Sequence, residues 1–91
     1  MTDDELTKLA AEAFGNPPAG FSPLTDDGDA LRLAVKLEIR IDWGAFDVVA
    51  IEFDADAVAR EPKGTDPYAA TRRAIVRAAA ALAESEQGET P

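Results

Sequence analysis

Arg72, Arg73 and Arg77 are the densest run of positive charge in the chain, and their spacing offers two chemistries. Guanidinium groups gathered on one helix can grip a phosphate or an acidic partner through paired hydrogen bonds. The same groups on a solvated helix face only balance neighbouring acids. A second constellation is acidic. Glu38, Asp42, Glu52, Asp54 and Asp56 recur at even positions through two apolar stretches, which places them on or near one face of a hairpin. Same-face residues of a strand lie about 6.6–7 Å apart, close to the phosphate repeat of an extended nucleic-acid strand. Such a row of carboxylates suits a Lys/Arg-lined groove. Trp43 stands beside Gly44 in the turn between the two stretches. Exposed there, it is a binding anchor; folded back, it is core. The sequence leaves both open.

Catalysis finds little to work with. The chain has no histidine and no cysteine, so the usual proton shuttle near neutral pH and the usual strong nucleophile are both missing. Ser22, Ser85 and Tyr68 have no base beside them in sequence. No phosphate-cradling glycine motif occurs. The run Asp26-Asp27-Gly28-Asp29 lacks the alternating ligands of a calcium loop and reads as a helix start. Asp54 and Asp56 read as a solvated strand end rather than a metal pair. The expectation is a protein that is not an enzyme, with no cofactor and no metal.

Eighteen acidic residues face nine basic ones, for a net charge of −9 on 91 residues. That balance disfavours direct contact with DNA, RNA or an anionic membrane, which need clustered Lys and Arg. It favours a basic protein surface, such as that of a nucleic-acid-binding complex, although solubility alone explains much acidity. No apolar run approaches the roughly 20 residues of a membrane span. Met1 is followed by Thr2-Asp3-Asp4-Glu5, acidic where a secretion signal is basic. A cytoplasmic location in a bacterial host cell is expected.

The elements that must position these residues form one domain over 1–91. Thr2 and Glu5 make a capping box, and Leu6, Leu9, Ala10 and Ala13 recur at helical spacing until Gly15 and Pro17-Pro18 stop the helix. This gives a helix over about 3–14. Phe21 and Leu24 pin a proline-rich connector to the core. From Leu31 to Trp43 every odd position is apolar, which reads as a strand, yet Thr25 to Asp29 is a helix start. A helix over about 26–36 followed by a strand over about 37–43 reconciles the two. A second strand over about 47–54 completes a hairpin over about 37–54. Its expected register pairs Ile41 with Val49, Ile39 with Ile51 and Leu37 with Phe53, burying the odd positions and setting Glu38 opposite Glu52. Ala57-Val58-Ala59 is at most a short edge strand. Asp66-Pro67 opens a last helix over about 67–84, burying Tyr68, Thr71, Ile75, Ala78, Ala79 and Leu82, with a frayed tail over 85–91. The fold class is α+β, in the order α-α-β-β-α. A two-stranded sheet is marginal alone; either a third strand joins it or its edge pairs with a second subunit, a homodimer.

Two segments carry a resemblance. Residues 21–37, FSPLTDDGDALRLAVKL, are similar to a segment of small phage and prophage proteins of unknown function, and residues 66–80, DPYAATRRAIVRAAA, resemble their closing helix. This group is described as the phage ABA sandwich domain, in which helices cover a small antiparallel sheet. The two segments make up about a third of the chain. The resemblance supports a helix over 26–36 and implies a phage origin; it supplies no catalytic residues.

Three functions are expected on these grounds. The first is a phage-encoded inhibitor of a host nucleic-acid-binding defence complex, in the manner of an anti-CRISPR protein that mimics nucleic acid. The second is a phage accessory or assembly protein binding another phage protein through the sheet edge or Trp43. The third is a binder of a small molecule such as a signal nucleotide, with the arginine cluster on its phosphate.

Overall fold

A computed structural model describes residues 1–53 and 57–88. Helix α1 spans Asp3–Phe14, α2 Asp27–Leu37 and α3 Pro67–Gly88; strands β1 (Arg40–Trp43), β2 (Asp47–Glu52) and β3 (Ala57–Pro62) lie between α2 and α3. The protein is therefore α+β, in the order α-α-β-β-β-α. The three strands form one antiparallel sheet in the order β1-β2-β3. The Ala57-Val58-Ala59 segment is thus the start of a full third strand, and the sheet needs no second subunit to reach three strands.

The helix starts form as their sequences dictate. Thr2 Oγ1 accepts the Glu5 N–H at 3.1 Å, and Glu5 Oε1 accepts the Thr2 N–H at 3.3 Å. The Thr2 main chain and hydroxyl hold the exposed Glu5 carboxyl below its usual range. Asp26 caps α2 by accepting the Asp29 N–H at 2.8 Å. Asp66 caps α3 by accepting from Tyr68 and Ala69 N–H at 3.1 Å. The α3 helix continues through 85–88, where a frayed tail was expected.

α3 is the centre of the molecule and packs against α1, α2, β2 and β3. Its Ala70, Ala74 and Ala78 share one buried cluster with Val48, Ala50 and Ala59 of the sheet. Small side chains on both partners let helix and sheet approach closely. Phe21 and Leu24 do anchor the connector to this core. Phe21 also stacks tilted against Phe14, with ring centroids 5.3 Å apart.

The hairpin register differs from the expected one by a single residue. Arg40 faces Ile51, Ile41 faces Ala50, Asp42 faces Val49 and Trp43 faces Val48. The even positions Val48, Ala50 and Glu52 are buried and the odd positions Val49 and Ile51 only half-buried, the reverse of the expected faces, while Phe53 is exposed. The cause lies at the end of α2. Glu38 turns into the left-handed region (φ 55, ψ 44), and the Ile39 N–H returns to the Ala34 carbonyl at 2.9 Å. Leu37 and Glu38 therefore belong to the helix and its cap, and neither Leu37–Phe53 nor Glu38–Glu52 pairs. The turn is closed by the Gly44 N–H donating to the Asp47 carbonyl at 2.8 Å. Here a Cβ on Gly44 would meet Asp47 Oδ1 at 2.7 Å.

A candidate protein-binding groove

The carboxylates expected on one exposed face do not share it. Glu52 is 4 % exposed, on the face that packs against α3. Asp42 points from the opposite face, paired with Arg40 at 3.5 Å, and Glu38 caps a helix off the sheet. Asp54 and Asp56 lie outside the described residues. The outer face instead presents Val49, Ile51 and Val58 between Arg40, Asp42 and Arg60, in the observed register.

The three arginines of α3 also diverge. Arg72 Nε donates to the Leu24 carbonyl at 2.8 Å and its Nη1 to Asp27 at 2.6 Å, tying α3 to the connector and to α2. Arg73 reaches Asp3 of α1 at 2.9 Å, which pushes its pKa up. Arg77 bonds Glu61 and the Arg60 carbonyl of β3. One helix thus fastens the connector, α2, α1 and β3, and no shared anion site results. Arg32, Arg40 and Arg60 are paired as well, with Asp29, Asp42 and Asp47. All six arginines of the chain are engaged with internal carboxylates.

Of the two placements open to Trp43, the structure shows the exposed one. Its indole is 61 % exposed, and Nε1 donates to Thr71 Oγ1 at 3.0 Å. The Thr71 hydroxyl in turn donates to the Pro67 carbonyl at 2.7 Å. A hydroxyl has one proton and two acceptor sites, so Thr71 satisfies both contacts and fixes the ring without burying it. Trp43 and Ile41 of β1, Ala30 and Leu31 of α2, and Tyr68 and Ile75 of α3 line a groove of about 510 Å³. The Asp27–Arg72 ion pair lies in the same lining. Few polar groups and several large apolar ones give the groove a composition common to ligand sites.

Tyr68 was expected in the core; it is 70 % exposed on the groove wall. Leu31 reads in the sequence as part of the apolar pattern from 31 to 43, and the structure leaves it exposed. Once 27–37 is helical, Ala30, Leu33 and Ala34 fill the buried stripe, and Leu31 and Val35, four apart, form a second apolar stripe left in solvent. The helix thus carries more apolar surface than its buried face covers.

Among the described residues no group of three or more His, Cys, Asp or Glu side chains is placed to hold a metal ion. No described helix is long and apolar enough to cross a membrane. No known family, curated protein or solved structure matches the chain.

Proposed function

We propose that this chain is a small acidic, non-enzymatic binding protein that holds a basic partner protein through the Trp43 groove. The observation that carries this reading is Trp43 itself, an indole held by Thr71 and left open to solvent. Desolvated aromatic anchors supply much of the energy of protein interfaces. The charge supplies the attraction. With every arginine already paired, the three lysines alone remain against the surplus carboxylates, so the outward field is acidic. A phage accessory or assembly role uses this groove directly and agrees with the sequence resemblance.

The acidic field also favours a second reading, a phage-encoded inhibitor that occupies a host nucleic-acid-binding complex in the bacterial cytoplasm. That reading draws on the charge of the whole surface and not on a row along the sheet, since Glu52 is buried. Sequestration of a signal nucleotide loses its support, because Arg72, Arg73 and Arg77 point to three different partners.

The test is capture from a bacterial lysate with the tagged protein and its Trp43→Ala variant, at low and high salt. Removing a central aromatic anchor costs about 2 kcal/mol or more, roughly thirtyfold in affinity. A partner that the variant loses at both salt concentrations supports the groove. Capture indifferent to Trp43 overturns it, and, if high salt abolishes that capture, the electrostatic inhibitor takes its place.

A further inference from the structure

We propose that the occupant of the Trp43 groove is an extended partner segment of alternating apolar and basic residues, which joins the sheet as a fourth strand on the free edge of β1. This rests on the reading of the groove as a protein-binding site and adds how the partner sits in it.

The register assigns the edge. β1 is an outer strand with β2 as its only neighbour. Directly opposed residues in an antiparallel pair alternate between those that exchange hydrogen bonds and those that do not. The Gly44 N–H donates to the Asp47 carbonyl, so the bonded positions continue at Asp42–Val49 and Arg40–Ile51. Trp43 and Ile41 occupy the other positions, opposite Val48 and Ala50. Their N–H and C=O groups point away from β2, toward the free edge. No turn, loop or cap hydrogen bond among the described residues uses them.

Trp43 and Ile41 are also the two β1 residues whose side chains line the groove. One pair of residues thus offers an incoming strand its main-chain partners and the wall of its side-chain site. Alternate side chains of that strand, about 7 Å apart, fall over Leu31, Tyr68 and Ile75. An amphipathic helix in the same place would cover these edge groups without bonding them. The opposite edge is protected differently. β3 ends at Pro62, which has no N–H to offer a strand, and its Arg60 carbonyl is taken by Arg77, whereas β1 carries no proline.

Charge selects the partner. The charged residues in the groove lining are the Asp27–Arg72 pair, which cancels locally, so the attraction comes from the acidic surplus of the whole surface. A second copy would bring a net charge of −9 against −9, whereas a lysine-bearing strand is attracted.

Trp43 is the sole tryptophan, so its fluorescence reports on the groove alone. The probes are a short peptide alternating valine and lysine, a peptide of the same composition arranged at helical spacing, and the alternating peptide N-methylated on either alternate set of amides. Amide exchange at Ile41 and Trp43 is followed by NMR. The alternating peptide should shift the emission and slow both amides by about tenfold or more at saturation. One methylated version should lose binding and the other keep it, because only one set of amides faces β1. An emission shift without amide protection, or one given only by the helical-spacing peptide, overturns the strand mode and leaves the groove standing. No shift with any peptide overturns both. Protection that grows with protein concentration without peptide assigns the edge to a second copy and also overturns the proposal.

Discussion

Glu52 shares the α3-facing side of the sheet with Val48, Ala50, Ala57 and Ala59 and exposes 4 % of its surface. A carboxylate so placed belongs to the fold rather than to a binding surface. Replacing it by lysine buries a longer, cationic side chain beside the core alanines. Leaving a buried charge uncompensated in this way typically costs about 3–5 kcal/mol. Glu52→Lys should therefore lower the denaturation midpoint sharply. Asp42→Lys, on the exposed face, should stay within about 0.5 kcal/mol of the parent. Urea titrations of the two variants side by side decide it; equal stability would mean that the burial of Glu52 contributes nothing to the fold. The sequence could not separate these two acids. From Asp47 to Phe53 both parities carry apolar residues, Val49 and Ile51 on one and Val48 and Ala50 on the other. The alanine-lined face of α3 takes Ala50 and Ala59 together with Val48, and leaves Val49, Ile51 and Val58 on the outer face.

Helix starts were legible because capping is local chemistry. Thr2 with Glu5, Asp26, and Asp66 with Pro67 each satisfy main-chain donors within three residues of themselves, and each does so in the structure. The junction between α2 and β1 was not legible, since it depends on one non-glycine residue in a left-handed conformation. Glu38 at φ 55 bears a steric cost of about 1–2 kcal/mol that glycine lacks. Glycine also raises the entropy of the unfolded chain, which offsets part of the relief. Glu38→Gly should therefore stabilise the protein by up to about 1 kcal/mol, raising the denaturant midpoint with an unchanged slope. A lowered midpoint would show that the exposed Glu38 side chain contributes more than its backbone costs. The same cap fixes the parity of β1, so it determines that Ile41 and Trp43, rather than Arg40 and Asp42, face the groove.

The whole molecule measures 41 × 28 × 24 Å, and its electrostatics change character with ionic strength over that range. At about 0.01 M salt the screening length is about 30 Å, so carboxylates repel one another across the entire protein; at about 0.15 M it falls to about 8 Å. The arginine–carboxylate pairs are in contact, at 3.5 Å or less, and are screened far less than the long-range repulsion. Exposed pairs contribute only about 0–1 kcal/mol each in any case, while a net charge of −9 strains the compact state as a whole. Repulsion should win. Raising sodium chloride from about 0.01 to about 0.15 M should increase the melting temperature by several degrees, since about 1 kcal/mol corresponds to about 4–8 °C in a domain of this size. Scanning calorimetry across that series measures it. A fall in melting temperature would place the dominant electrostatic term in the arginine staples of α3. The acidic surplus would then be an unstrained feature of the surface, free to serve a basic partner without destabilising the unbound protein.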